Sequence, residues 1–337
     1  MSDGNESKRN LIVDGIMREE AVLKRELLYT GLNGSRAERI RTEKDGTFVC
    51  KITPDRAQAA REARAYADIL PLLPMPTIYP ALLDYFETTD EEGNALAQLL
   101  YEDVGALDHS FDERAAVELI GYMAHWHAVP TEGLPLGAER GHKPDYEEIV
   151  ADLLTELGWN WRGGQAAAQS EENRSSEPLV FGLPEHLVLR VYDQMKRQPP
   201  VIVYRLSHGD LHPGNFGQTE DGSLKVLDWE HVHRNSPYWD LYHALDMSHP
   251  MFPRTIGEGA WERLLILYWE KAKTGNVPAD RSAYMREYGL FSAVFSLWML
   301  RLIDGDLAGD DGPWPRERLL RQREETRAAF LRCAKRI

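Results

Sequence analysis

The sequence predicts an α+β chain: strands dominate its first third and helices the rest. Three observations carry this. From Glu26 to Ile52 short apolar runs alternate with glycine-containing turns, and Ala81–Phe86 and Ala95–Tyr101 repeat the pattern across the polar run Glu87–Asn94. Beyond Ser110 apolar residues recur every three or four positions, the spacing of one helix face. Among those helices stands one irregular stretch, Ser207–Trp229, where a loop rich in His, Gly and Pro leads into a polar turn and a short apolar strand. With 337 residues the chain is long enough for two separate cores.

In chain order, residues 11–22 are predicted as a short helix. Leu27–Tyr29, Ala37–Arg41 and Thr47–Ile52 follow as strands, with Gly31 and Gly34 in the first connection and Lys44-Asp45-Gly46 in the second. Asp55–Leu70 reads as a helix with Ala59, Ala63, Tyr66 and Leu70 on one face. Ser110 and Glu113 have capping-box spacing ahead of a helix carrying Val117, Ile120, Ala124 and His127. His127, on an apolar face, reads as a buried structural donor. Asp145–Leu157 is the next helix, and the small, polar segment 158–178 is expected as a mobile loop or a linker; as a loop it could act as a lid. A helix over Pro184–Gln198 stops at Pro199-Pro200, and Val201–Tyr204 is read as a strand. Trp261–Ala272, Ala283–Ile303 and Pro315–Lys335 close the chain as helices. Asp304, Asp306, Asp310 and Asp311 are placed in a solvated loop, with attraction of a cationic acceptor as the sharper alternative.

The chemistry concentrates at Asp210, Asn215 and Asp228. The Asp-Leu-x-x-x-Asn run at 210–215 matches the second half of a kinase catalytic loop, in which the Asp takes the proton of an acceptor hydroxyl and the Asn holds magnesium. Pro213 and Gly214 keep the run from becoming helical. A turn at Glu220–Ser223 and a strand through Leu224, Val226 and Leu227 then deliver Asp228, an anionic oxygen of the kind a hard dication requires. Lys51 lies inside the apolar strand Phe48–Ile52, where an unpaired ammonium is costly, and Glu62 falls on the apolar face of the next helix. Each is the natural partner of the other, since leaving one alone costs about 3–5 kcal/mol.

The octet His208-Gly209-Asp210-Leu211-His212-Pro213-Gly214-Asn215 and the triplet Leu227-Asp228-Trp229 resemble the aminoglycoside phosphotransferase and choline kinase family of small-molecule kinases. The resemblance implies a two-lobed protein-kinase-like fold. A small antiparallel-sheet N-lobe with one helix would occupy 1–101, a hinge 102–105, and a large, mainly helical C-lobe 106–337. It implies ATP, with GTP open as an alternative, together with Mg2+, and transfer to a hydroxyl of an aminoglycoside, choline or amino alcohol, homoserine or sugar. Asp210 would be the catalytic residue, with Asn215 and Asp228 on the metal. Lys51, positioned by Glu62, would hold the α- and β-phosphates beneath Gly31, Gly34 and Ser35. Backbone atoms of Tyr101, Glu102 and Val104 would meet the adenine edge. His208, His212 and Asp240 are supporting residues, Asp240 bracing the catalytic loop or capping its own helix. Trp126-His127-Ala128 would pack beneath that loop. The chain departs from the family at Asn235-Ser236-Pro237, which keeps only the proline of the usual Gly-Asp-Pro.

Composition narrows the alternatives. A formal charge of −15 argues against nucleic acid and is compatible with a cationic acceptor. Cys50 and Cys333 offer no disulfide framework, which points to a reducing compartment. The N-terminal residues have no apolar core of a signal peptide, and Leu290–Leu300 is too short to span a bilayer, so a cytoplasmic protein is expected. A protein kinase is disfavoured by Gly209 in place of Arg and by Trp229-Glu230 in place of Phe-Gly. A catalytically idle relative is disfavoured by the intact Asp210, Asn215 and Asp228. A zinc site on His208, His212, His231 and His233 lacks a four-ligand spacing.

Overall fold

The computed structural model describes residues 12–13, 16–18, 21–31, 34–42, 46–73, 78–90, 92–136, 144–167, 179–253, 256–272, 275–309, 312 and 314–337. Contacts divide the chain into two compact units. One gathers residues 1–108, 133–141 and 215–232; the other gathers 109–132, 142–214 and 233–337. The hairpin carrying Asp228 therefore clusters with the first unit, although a split at 102–105 would count it with the helices.

The first unit is built on a five-stranded antiparallel sheet in the order Val22–Thr30, Arg36–Thr42, Thr47–Thr53, Ala95–Glu102, Leu82–Thr89. Side chains alternate across a strand, so Phe48, Cys50 and Ile52 share one face, where they pack with Met17, Ile40, Phe86 and Leu100. Val49 and Lys51 consequently face the other side. Register puts Tyr101 opposite Val49 and Leu99 opposite Lys51, so both buried partners share the lysine's face. The helix Arg56–Arg64 begins at Asp55, whose carboxylate caps the Gln58 N–H at 2.9 Å, and runs on through a π-helical turn at Ala65–Ile69. Its buried positions include Ala59 and Glu62.

The predicted helix over 11–22 is not formed. Ile12–Val13 pairs with Ile16–Met17 as a short antiparallel ladder, and the long strand begins at Val22. Three of those four residues are β-branched, which disfavours a helix, and Met17 is buried in the sheet core.

The second unit is helical: Glu113–Trp126, Tyr146–Ala167, Glu185–Arg197, Pro237–Leu245, Glu258–Lys271, Arg281–Ala308 and Arg316–Ala334. Its core is aromatic, with Trp126, Trp239, Trp261, Tyr242, Phe291 and Phe295 all buried. Three expectations change here. The helix from Tyr146 continues to Ala167 because Gln165, Ala166 and Ala167 favour helix, so part of the expected 158–178 loop is helical. Residues 168–178, and with them the rest of the lid reading, lie outside the described residues. The helix ending at Ala308 takes in Asp304 and Asp306, and Asp304 accepts Arg323 Nε at 2.6 Å, which ties that turn down. Asp310 and Asp311 lie outside the described residues. Val201–Tyr204 is not a strand; pairing starts at Arg205, where Arg205–Ser207 meets His233–Asn235. Among the described residues no helix is long and apolar enough to cross a membrane.

Candidate active site

In the first unit three carboxylates surround one ammonium. Lys51 Nζ lies 2.7 Å from Glu62, 2.5 Å from Asp228 and 3.0 Å from Glu230. The sheet delivers the lysine, the helix Arg56–Arg64 delivers Glu62, and the turn Trp229–His231 delivers Glu230. Tyr101, on the lysine's face, donates its hydroxyl to the other oxygen of Glu62 at 2.6 Å, and the Gln58 amide donates to Glu230. Burial works against the Lys51 charge, but Asp228, Glu62 and Glu230 together hold its pKa well above the ordinary value. One ammonium does not balance three carboxylates. Burial, then the charges of Asp228 and Glu230, push Glu62 up to about 7 despite Lys51. Glu230, which burial alone would raise, is held down at about 2 by Lys51 and His231.

Replacing Tyr101 by Phe leaves a buried carboxylate oxygen short of its donor. The expected cost is about 1–3 kcal/mol in urea unfolding, and a change below about 0.5 kcal/mol counts against this role.

Asn215 and Asp228 sit at one end of a hairpin. Phe216–Gln218 pairs with Leu224–Val226, and one step outside the ladder the Leu227 N–H bonds the Asn215 carbonyl at 2.7 Å. Asp228 follows with φ 62° and ψ 56°, a left-handed conformation that costs about 1–3 kcal/mol outside glycine and is held here by its surroundings. Glu62, Asp228 and Glu230 each place an oxygen within 4.8 Å of the others, the only such metal-competent group among the described residues. Hard carboxylate oxygens with an excess of negative charge suit a divalent cation such as Mg2+.

The other nucleotide candidates are placed as follows. Gly31 and Gly34 close the turn between the first two sheet strands, Gly31 N–H bonding the Ser35 carbonyl at 2.7 Å and Gly34 holding φ +79°. The Ser35 hydroxyl is buried and donates to Thr53 at 2.8 Å, inside the sheet. Tyr101 turns its phenol to Glu62, and the Glu102 N–H is spent on the Ala81 carbonyl at 3.0 Å. Val104 is half-buried. Sequence reasoning passed over Glu230 and the side-chain role of Tyr101. A carboxylate two residues beyond Asp228, at the end of an apolar strand, was the one available signal.

In the second unit Asp240 organises the loop that carries Asp210. Its carboxylate accepts Ser207 Oγ at 2.6 Å, the N–H groups of His208 and Gly209 at 2.9 and 3.2 Å, Trp126 Nε1 at 3.1 Å and His127 Nε2 at 3.0 Å. The Tyr268 hydroxyl meets His127 Nδ1 at 2.7 Å. Burial alone would raise the Asp240 pKa, but the His127 bond and charge, with His208 and Ser207, hold it well below the usual carboxylate range. The helix cap is Ser236, whose hydroxyl accepts the Tyr238 N–H, so Asp240 belongs to the first turn and not to the cap. Gly209 adopts φ +88° and its carbonyl accepts Trp239 Nε1 at 2.9 Å, a conformation that accounts for glycine at that position.

Asp240→Ala leaves these donors unpaired in the interior, and a loss of about 3–5 kcal/mol of unfolding free energy is expected. Because the folded state keeps this carboxyl charged below its usual range, its contribution is present above that range and fades as pH falls through it.

Asp210 lies on the loop so braced. Its carboxylate is partly exposed, 4.0 Å from His212 Nε2 through one oxygen and 4.0 Å from His243 Nε2 through the other. Its N–H faces His208 Nδ1 at 3.3 Å, and the His212 N–H bonds the Asp210 carbonyl at 2.9 Å. An anionic oxygen beside two imidazoles can orient a hydroxyl and receive its proton.

A model of the phosphotransferase enzyme family matches residues 31–274. An amicoumacin kinase solved with AMP-PNP, Ca2+ and Ami is 17% identical, covering 97% of this chain and 93% of that one, with a TM-score of 0.54. A spectinomycin phosphotransferase solved with ADP and spectinomycin is 13% identical over 94% of each chain, with a TM-score of 0.52. A choline kinase from Streptococcus pneumoniae is 18% identical, covering 91% of this chain and 94% of that one, with a TM-score of 0.47. Comparison with curated protein sequences gives no match. The fold is thus protein-kinase-like, and the family match covers most of the sequence: the chain belongs to the phosphotransferase enzyme family and is a small-molecule kinase.

Proposed function

We propose that this kinase moves the γ-phosphoryl group of ATP, with Mg2+, to a hydroxyl of a small acceptor. The observation that carries the reading is the Lys51 ammonium held within 3.0 Å of Glu62, Asp228 and Glu230. Such a cluster is expensive unless a polyanion and a cation share it in use. Asp228 and Asn215 are the residues that would hold the metal. When bound, the metal ion neutralises charge on the phosphate oxygens.

The chain's own residues do the remainder. Glu62, fixed by Tyr101, aims Lys51 at the non-transferred phosphates. In this reading the turn closed by Gly31 and Gly34 covers the phosphates, and the segment Tyr101–Val104 borders the base. Asp210 orients the acceptor hydroxyl and takes its proton as the new P–O bond forms. Asp240 keeps the backbone at 207–209 rigid so that Asp210 is presented in one place. Positioning and electrostatics then supply most of the acceleration.

The test is a thermal-shift titration with ATP or GTP, with and without Mg2+, followed by 31P NMR of reactions with amino alcohols, sugars and aminoglycosides. Metal-dependent stabilisation by nucleotide and a new phosphomonoester resonance are expected. No stabilisation at millimolar Mg·ATP would sink the proposal.

A further inference from the structure

Within the second unit, a set of rings stands beside the catalytic loop. His212 stacks on His249 with centroids 4.3 Å apart and planes 14° from parallel. Phe252 lies 5.9 Å from His212, nearly parallel, and 5.4 Å from His249. Trp314 meets His249 edge-on at 5.5 Å. None of these four side chains is fully buried, unlike the aromatic residues of the helical core. The set is anchored to the loop itself. The Gly214 N–H donates to His212 Nδ1 at 3.0 Å, which leaves the ring proton on Nε2, the nitrogen facing Asp210 at 4.0 Å. A Cβ on Gly214 would stand 2.5 Å from Phe252 and 2.7 Å from His212, so only glycine lets the rings approach this closely.

Charged groups of both signs stand beside the rings. Arg318 reaches Met251 Sδ, Arg321 donates to the Pro250 carbonyl at 2.7 Å, and both flank the segment that carries His249 and Phe252. The nearby acid Glu325 accepts the Ser248 hydroxyl and lies 3.8 Å from Arg321.

We propose that the rings of His212, His249, Phe252 and Trp314 form the acceptor subsite, and that it takes an alcohol bearing a flat, unsaturated ring. This rests on Asp210 being the base of the proposed phosphotransfer. An imidazole stack with an aromatic wall offers π-faces to a flat ring. The carboxylates named beside it are engaged, Asp210 by His212 and His243 at 4.0 Å and Glu325 by Ser248 and Arg321, whereas a polyamine needs several acids to replace its hydration.

The experiment uses the full chain without nucleotide, so that it reads the subsite apart from the kinase reading. Saturation-transfer NMR would compare pyridoxine, uridine and 4-hydroxybenzyl alcohol with choline, kanamycin and glucose. Transfer to at least one ring-bearing alcohol, reduced five-fold or more in Trp314→Ala and in Phe252→Ala, and restored in Trp314→Phe, supports the subsite. Transfer to choline or kanamycin alone, or ring binding unchanged in all three variants, overturns it. So does absence of transfer to every ring-bearing probe. The melting temperature of each variant is measured alongside; should Trp314→Ala not fold, the Phe252→Leu and Trp314→Phe pair decides, with loss in the first and retention in the second expected. A separate titration with Mg·AMP-PNP decides the kinase reading: no stabilisation there, with ring binding intact, fails that reading and spares the subsite.

Discussion

Asp210→Asn is expected to lower kcat by about 10²–10⁴-fold, the usual contribution of a positioned general base. The substitution keeps the side chain's shape and removes only its basicity. The loop should hold its form, because Asp240 grips Ser207, His208 and Gly209, not the Asp210 carboxylate. Nucleotide affinity should stay within about two-fold, roughly the scatter of a neutral change, since Asp210 serves the acceptor side of the reaction. Steady-state turnover with the fastest acceptor of the panel, together with calorimetric titration of Mg·AMP-PNP, measures both quantities. An equal fall in nucleotide affinity would show that Asp210 is a nucleotide ligand.

Asp228→Asn has the opposite signature. Metal-dependent tightening of nucleotide binding should fall by about 10²-fold or more, since a charged metal ligand is worth several kcal/mol and each 1.4 kcal/mol is about tenfold. Stability should barely change. Asparagine tolerates the left-handed backbone seen at 228, and Lys51 keeps Glu62 and Glu230 as partners. The Glu62 carboxyl should also become easier to ionise, because the charge of Asp228 is one of the influences that raise it. Titration of ATP with and without Mg2+, beside urea unfolding, separates the two effects. A large stability loss with Mg2+ dependence intact would make Asp228 a structural residue.

Lys51 and Glu62 could be read from the chain because a charge inside an apolar period is a local oddity. The structure pairs them at 2.7 Å. Asp210, Asn215 and Asp228 were visible through spacing, since the irregular loop and the hairpin are each short and local. His127 was legible as a buried donor, though not its two partners, Asp240 and Tyr268. Glu230 and Tyr101 were missed for a common reason. A glutamate after a tryptophan, or a tyrosine closing a strand, is ordinary in sequence, and only cross-strand register and a tight turn bring their oxygens to the same buried place. The helix expected at 11–22 failed where β-branched side chains favour strand pairing.

What the sequence alone determined is the class of chain and the chemical kinds it displays: strands before helices, an Asp-x-x-x-x-Asn loop, an acid ending a strand, and a lysine where water is scarce. Those follow from properties of neighbouring residues, which the chain carries wherever it goes. The tertiary structure alone decided that three carboxylates crowd one ammonium, that Asp240 holds the backbone at 207–209, and that the rings of His249 and Phe252 gather beside His212. Such arrangements join residues tens to hundreds of positions apart, and distance along a chain says nothing of distance in space until packing has set it.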